Sequence, residues 1–391
     1  MFGVNVMRLS NKILSIKPPP LRSFADKAAN TPRCVRLDLG EPDFNTPRHI
    51  KRNANNALKQ NFTHYTSTYG VRELRDAVAE KESKKVAGLS RDNIIITTGG
   101  MGALFCASAA ILDFGQEVII ENPSWAPYPY MVEIAGGKPV LSKFFEDDKL
   151  QTENILEKIN DKTRALIVNT PQNPTGRVWS RRDIKTVAEI AEDHDLFIIC
   201  DEVYEEIVYG RKHVSFAEYD HDLSNTMLIN SFSKTYAMTG WRVGYVVADE
   251  DYIKAIMKVN RVTTSCPSSV TQMGALAALM GSQRSVKKMV SQYKKRRNYI
   301  TNELKKMGLN MTTPDGAFYV FPDVSEYDND SMKFSNNLIE NAKVSCIPGV
   351  GFGSEGEGHI RFSYATSLNE IEKGMNRLER FLPNYPNPIS I

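Results

Sequence analysis

The sequence predicts an α/β fold: a large, mainly parallel sheet flanked by helices, followed by a smaller α+β region. Three observations carry this. Short, continuously apolar runs recur through the middle of the chain and alternate with segments of helical periodicity. The runs lack polar alternation, as strands buried on both faces do. From about residue 283 the pattern changes to one long charged helix and then shorter mixed signals.

Along the chain, strands are expected at 93–97, 117–120, 165–168, 196–199 and 227–229, with 242–247 following. Each is built on an apolar run: Ile94-Ile95-Ile96, Val118-Ile119-Ile120, Leu166-Ile167-Val168, Phe197-Ile198-Ile199 and Met227-Leu228-Ile229. Helices are expected at 71–86, 101–112, 125–135, 181–194 and 267–280. The charged helix covers 283–306 and leads to Gly316-Ala317-Phe318-Tyr319-Val320-Phe321. The N-terminal arm contains Lys17-Pro18-Pro19-Pro20, and a proline run breaks both helix and ladder. The expected division is an arm over 1–44 that joins the small domain, a large domain over 45–282, and a small C-terminal domain over 283–391.

Composition narrows the function classes. The chain has 391 residues, 41% hydrophobic and 24% charged, enough to bury a large core. Its net charge of +3 is spread without a basic block, which points to neither nucleic acid nor an anionic membrane. No apolar run has the length of a membrane span, and residues 1–15, interrupted by Arg8 and Lys12, have no continuous apolar core of a secretion signal. The five cysteines (Cys34, Cys106, Cys200, Cys266, Cys346) are scattered, without CxxC spacing. They read as buried thiols of a reducing compartment, so a cytoplasmic location is expected. The histidines show neither HxxxH nor HExxH, and no metal site is expected.

Lys234 is the residue on which function turns. It follows the buried run 226–230 within Ser231-Phe232-Ser233-Lys234, with Arg242 eight positions on. A lysine amine can form an imine with an aldehyde, and the Ser/Arg pair beside it can hold a phosphate. Pyridoxal phosphate carries both groups. The same stretch also reads as an ordinary solvated turn.

Other segments bear on that choice. Thr98-Gly99-Gly100-Met101 follows a strand and opens a helix, which suits either an anion at the helix N-terminus or a tight turn. Asn173, in Asn173-Pro174-Thr175-Gly176, lies past a strand's carboxyl end, where it can donate to a phenolate oxygen. Asp201, in Asp201-Glu202-Val203-Tyr204, ends the next strand, and a buried carboxylate there needs a cationic partner such as a pyridinium nitrogen. Arg361, in His359-Ile360-Arg361-Phe362-Ser363, suits a substrate carboxylate or a solvated edge strand. Trp125 reads equally as a stacking platform or core, and Tyr65 as a phosphate donor or a packed aromatic.

Together these motifs resemble the class I/II aminotransferases, pyridoxal-phosphate enzymes of fold type I, in the aspartate/aromatic subgroup. The resemblance runs from about Leu9 to Phe381 and includes Gly40-Glu41-Pro42-Asp43-Phe44, Tyr65, Gly99-Gly100, Trp125, Asn173-Pro174-Thr175-Gly176, Asp201-Glu202-Val203-Tyr204, Ser231-Phe232-Ser233-Lys234, Arg242 and Arg361. It implies that Lys234 forms the imine and shuttles the proton, and that Asp201 pairs with the ring nitrogen. Tyr204 and Asn173 would bond the ring's 3-oxygen, with Trp125 stacked on the ring. Gly100, Met101, Ser231, Ser233 and Arg242 would hold the phosphate, joined by Tyr65 from a second subunit of an obligate homodimer. Arg361, Asn173 and the Gly40 backbone would take the α-carboxylate of an amino acid, with Trp125 over it. The implied reaction moves an amino group from an L-amino acid to a 2-oxo acid such as 2-oxoglutarate, in ping-pong order. Some acid-selective members of the subgroup carry lysine where this chain has Met101, which argues against a preference for aspartate and towards apolar or aromatic donors; a broad range covering aspartate and aromatic donors is expected. A C–S β-lyase or an aminocyclopropane-carboxylate-type synthase shares these motifs, and a non-enzymatic regulatory domain would need a DNA-binding extension. Met1 and Met7 both serve as possible starts.

Overall fold

A computed structural model describes residues 9–16 and 21–385. The reading of the first residues as a start and the proline run at 17–20 lie outside the described residues. The strands run β1 Val35–Arg36, β2 Ile94–Thr97, β3 Glu117–Glu121, β4 Lys138–Ser142, and a hairpin of β5 Phe145–Glu146 and β6 Lys149–Leu150. Next come β7 Thr163–Asn169, β8 Phe197–Asp201, β9 Thr226–Ser231 and β10 Gly244–Val247. The C-terminal part adds β11 Tyr319–Val320, β12 Val344–Ser345, β13 Ile347–Pro348 and β14 Ile360–Ser363.

Seven strands make one sheet in the order β2-β10-β9-β8-β7-β3-β4. The mainly parallel sheet expected from the apolar runs is present, with β10 antiparallel to both β2 and β9. The connection from Ser231 to Gly244 holds only the short turns Phe232–Thr235 and Thr239–Trp241, and the chain returns antiparallel beside β9. The continuous runs are explained by burial on both faces. Along β7, Ala165 and Ile167 enter one core, whereas Leu166 and Val168 enter the other. The helix Gly99–Ile111 covers the first face through Ala103, Leu104 and Ala107. The helix Arg181–Asp193 covers the second through Ile184, Val187 and Ala191. It starts at a capping box in which Ser180 Oγ accepts from Asp183 N at 3.1 Å, a contact worth about 1 kcal/mol.

Some elements escaped the sequence pattern. β4 is an edge strand with Pro139 and only Ser142 buried, so it carries no continuous apolar run. The helix Arg48–Lys59 buries only Ile50, Ala54 and Ala57, a narrow face on a polar segment. The helix Glu250–Thr263 likewise buries Ile253, Ile256 and Asn260 and exposes most of the rest. The cysteines also need a correction. Cys106, Cys200 and Cys346 are buried, but Cys34 and Cys266 are only half-buried, and all five are free thiols.

The C-terminal part holds a second antiparallel sheet in the order β11-β14-β13. β1 pairs in parallel with β12, Val35 opposite Val344, so the N-terminal segment is stitched to the C-terminal part. Beyond β1 the segment passes Asp38 and Gly40 and is anchored at Asp43, whose two oxygens each accept from Arg296 at 2.8 Å. Among the described residues no helix is long and apolar enough to cross a membrane.

Glu121, at the end of β3, is 4% exposed, and one of its oxygens has no hydrogen-bond partner. Burial pushes its carboxyl up to about 8, against the pull of Arg177 and Gln172. The folded protein thus holds this proton well above 4.5, where the unfolded chain releases it, and stability falls as pH rises through that window. At about 1.4 kcal/mol per unit the slope is worth a few kcal/mol. Denaturant melts should show Glu121→Gln gaining about 2–4 kcal/mol on the wild type between pH 5 and pH 8.5. A gap that stays constant with pH would contradict the buried, protonated carboxyl.

Candidate active site

Parallel register brings the functional strand ends into line. Asn169 on β7 lies opposite Asp201 on β8, and Asp201 lies opposite Ile229 on β9. β9 runs on to Ser231, opposite Gly244 of β10. Ligands of open α/β sheets bind beyond these carboxyl ends. Here a cavity of about 310 Å³ opens, lined by Gly40, Gly100, Met101, Trp125, Asn173, Asp201, Tyr204, Ser231, Ser233, Lys234, Arg242 and Arg361. Every site residue expected from sequence is present except Tyr65, which is 89% exposed on the surface.

Lys234 stands three residues past the strand, on the helical turn Phe232–Thr235. That turn begins where Ser231 Oγ accepts from Ser233 N at 3.0 Å. The lysine keeps some solvent contact through the cavity, but its Nζ is ringed by protein and donates to Gly40 O at 2.7 Å. Burial pushes the ammonium down to about 8; Glu41 opposes this, and Arg361 and Arg242 add to it. Asp201 is buried, accepting from Tyr128 OH at 2.7 Å and from Val203 N at 3.2 Å. Among the described residues no ion pair reaches it. Burial raises its carboxyl to about 6 despite those two bonds.

Arg361 is no solvated edge residue: β14 is the middle strand of its sheet, and Arg361 is 7% exposed. Its Nη1 donates to Asn173 Oδ1 and its Nη2 to Asp38 O, each at 2.8 Å, while Nε is buried without a partner. The guanidinium lies 4.3 Å from the Tyr319 ring centre and 5.0 Å from that of Phe352. Asn173 thus spends its carbonyl on Arg361 and keeps its amide donor. At the other end of the cavity, the helix Gly99–Ile111 presents its N-terminus. Gly99 adopts φ +71°, and a Cβ there would come within 2.8 Å of Arg242 Nη2. The cation therefore lies directly against this helix start.

These observations fit pyridoxal phosphate. A buried carboxylate without a cation suits a protonated ring nitrogen, and a lysine with a depressed pKa suits an aldehyde. The helix start with Arg242, Ser231 and Ser233 suits a phosphate.

Sequence reading missed several contributors. Tyr128 lies one helical turn past Trp125 and meets it edge-to-face. Tyr319 bonds Tyr204 hydroxyl to hydroxyl at 2.7 Å. Beneath the site lies a buried ion cluster. Lys85 reaches Glu82 at 2.8 Å and Glu202 at 3.3 Å, and both Lys81 and Lys85 pair with Glu205. His213 meets Glu202 at 2.8 Å, and Asn230 Nδ2 donates to Glu205 at 2.7 Å. Burial alone would raise Glu202, but Lys85 and His213 outweigh it and hold the carboxyl down at about 2. Ligand atoms of Glu202, Glu205 and His213 come within 4.8 Å of one another, yet the ammonium groups already occupy these carboxylates. A salt cluster, not a cation site, is the simpler account.

A larger groove of about 1020 Å³ lies between the β5–β6 hairpin and residues 311–315. Two of its arginines are already paired, Arg177 with Asp148 at 2.8 Å and Arg211 with Asp315 at 2.9 Å. It has none of the chemistry gathered around Lys234.

Comparison with known proteins agrees with the geometry. The family described as aminotransferase class I and II matches residues 32–378. A probable aspartate aminotransferase of Methanocaldococcus jannaschii is 44% identical over 94% of this chain and 98% of its own length. Aromatic-amino-acid aminotransferase 2 of Thermococcus litoralis is 40% identical over 96% of this chain and 98% of its own. The structure of Thermus thermophilus aspartate aminotransferase with maleate superposes with a TM-score of 0.91 at 36% identity, covering 96% of this chain and all of that one.

The depressed Lys234 amine has a direct consequence. Competitive labelling with an amine reagent between pH 6.5 and 9.5, read by peptide mass, should give Lys234 a midpoint near 8. A Lys234 that stays unreactive until pH 10 would contradict the desolvated site.

Proposed function

The chain belongs to the class I and II aminotransferases, and on that premise we propose how its own residues run the reaction and which donors it takes. It is a pyridoxal-phosphate-dependent transaminase. The observation that carries the site assignment is one cavity holding a desolvated lysine, a buried carboxylate without a cation, and a half-satisfied arginine.

When bound, pyridoxal phosphate supplies the carbonyl that receives the amino group and the ring that takes up the electron pair released at the donor's Cα. Lys234 holds the cofactor and, once freed, is the base placed to take the Cα proton. Its pKa of about 8 keeps an appreciable neutral fraction near physiological pH. Asp201, remaining a carboxylate, would hold a proton on the ring nitrogen, and Tyr128 steadies one of its oxygens. Tyr204 and the free amide of Asn173 would hydrogen-bond the ring's 3-oxygen, and Trp125 would stack on the ring. Arg242, Ser231, Ser233 and the Gly100 and Met101 amides would hold the phosphate. Arg361, steadied by Asn173 and Asp38, binds the α-carboxylate and so orients the Cα–H bond toward Lys234.

The donor range is broad and covers aspartate and aromatic amino acids, with 2-oxoglutarate as an acceptor. Among the described lining residues Lys234, Arg242 and Arg361 are the only cations, while Met101, Leu104, Ile347 and Phe352 give an apolar wall. Relatives that bear the aspartate and the aromatic names support both ends of that range. The working unit is a homodimer: exposed Tyr65, with Phe62 near it in sequence, supplies a phosphate donor to the second copy's site. Stitching of β1 to β12 supports the division into an arm over 1–44, a large domain over 45–282 and a small one over 283–391. Free, scattered cysteines support a cytoplasmic location.

Initial rates across an amino-acid panel with 2-oxoglutarate should show turnover of both aspartate and phenylalanine or tyrosine. Activity confined to one donor would overturn the broad range, and ammonia release without an acceptor would favour lyase chemistry. Lys234→Ala should lose at least about 10²–10⁴-fold in kcat. Arg361→Lys should raise KM for donors by about 10–100-fold, because the charge survives and the two-pronged grip does not. Tyr65→Phe should weaken cofactor binding about 10-fold, the cost of one bond to a charged group, with the dimer intact by light scattering. A monomer of full activity would overturn the shared site.

A further inference from the structure

Tyr319 belongs to no motif of the sequence reading, yet three parts of the site converge on it. Its ring lies under Arg361, 4.3 Å from the guanidinium carbon. Its hydroxyl meets the hydroxyl of Tyr204 at 2.7 Å, and both side chains are buried. The backbone of Gly40, whose carbonyl receives Lys234, passes so close that a Cβ there would lie 2.5 Å from Tyr319 Oη. Tyr319 Oη has no other hydrogen-bond partner among the described residues. Two phenols share one bond, so only one proton lies along it and the other is free to point elsewhere. Tyr204 lines the cavity next to Lys234, whose Nζ is 5.9 Å from its ring centre.

We propose that Tyr319 is a positioning residue that donates its hydroxyl proton to Tyr204 Oη and so turns the Tyr204 proton into the cavity. The inference rests on the reading of Tyr204 as a donor to the cofactor's 3-oxygen. A hydroxyl that accepts a bond becomes a stronger donor in its own, by roughly 10–30%. Tyr319 thereby sets how firmly Tyr204 holds that oxygen, acting through the Tyr204 hydroxyl. The charged groups that face the pair are Arg361 from β14, Lys234 from the turn after β9, and Asp201 at the end of β8.

The test uses the holoenzyme of Tyr319→Phe, which keeps the ring under Arg361 and removes only the donor. A weaker hold on the 3-oxygen leaves more negative charge beside the imine nitrogen, so the pH midpoint of the visible cofactor band should rise. The expected rise is roughly 10–30% of the one that Tyr204→Phe produces. In the double variant the midpoint should match Tyr204→Phe alone, because the relay has no second link to lose. Affinity for a carboxylate inhibitor should stay within about 3-fold of wild type, since the cation–π contact survives. A midpoint unmoved in Tyr319→Phe, or fully additive shifts in the double variant, would overturn the proposal. So would a carboxylate affinity that falls 10-fold or more, because the ring itself would then have moved. A wild-type protein with no visible band would instead overturn the cofactor reading beneath it.

Discussion

Burying Asp201 and Lys234 in one cavity without giving either a full counter-ion is the constraint on which the rest of the structure depends. Each charge loses hydration at the strand ends, and the cost appears as a carboxyl raised to about 6 and an ammonium lowered to about 8. A complete salt bridge would remove that cost and remove the chemistry too. A fully paired Asp201 has nothing left for a ring nitrogen, and a fully paired Lys234 stays protonated. The site therefore keeps both groups half-satisfied, with neutral donors on Asp201 and a neutral acceptor on Lys234.

Such a site needs support that does not yield. The ion cluster under it provides this. Glu202 is next to Asp201 in sequence and Glu205 is next to Tyr204; Lys85 holds both, and Lys81 holds Glu205 as well, both lysines coming from the segment that follows Arg72. Glu205 also receives Asn230, whose own oxygen accepts from Ser231 N at 2.7 Å. One cluster thus fixes the turn after β8 and the end of β9 together. A buried ion pair adds little net stability over apolar packing, but removing one partner strands a charge and costs about 3–5 kcal/mol. Its contribution here is geometric: it specifies where the half-satisfied groups stand.

The convergence of the candidate site residues was legible from sequence because parallel register does the placing. Residues that end consecutive buried strands, or follow them closely, must meet at one edge, so Asn173, Asp201 and Lys234 were readable as neighbours from strand ends alone. The sheet was legible for the same reason, since burial on both faces leaves continuous apolar runs. Contacts made across long stretches of sequence were not. Tyr319 reads as one more aromatic in Gly-Ala-Phe-Tyr, and only the tertiary approach of β11 to the turn after β8 makes it Tyr204's partner. Tyr128 and Lys81 escaped likewise, because helical periodicity says which face is buried but not which carboxylate waits there, and Lys85 lies in the turn past the helix Arg72–Glu82, beyond any periodicity. β4 was hidden because an edge strand with proline and solvent on one side leaves no apolar signature.

The N-terminal segment shows why two cations, Arg361 and Lys234, can share one cavity. Arg361 and Lys234 both direct a donor at backbone carbonyls of the same short stretch, Asp38 and Gly40. Carboxylates in those places would hold both cations far more tightly, at the cost of the arginine's appetite for a substrate carboxylate and the lysine's low pKa. Carbonyl oxygens orient a cation without neutralising it. The stretch must then be held by something other than the cations it serves, and it is: Arg36 with Asp38 at 2.7 Å on one side, Arg296 with Asp43 at 2.8 Å on the other. Full-strength ion pairs flank the segment, and weaker neutral acceptors lie between them, where the chemistry needs charges that remain available.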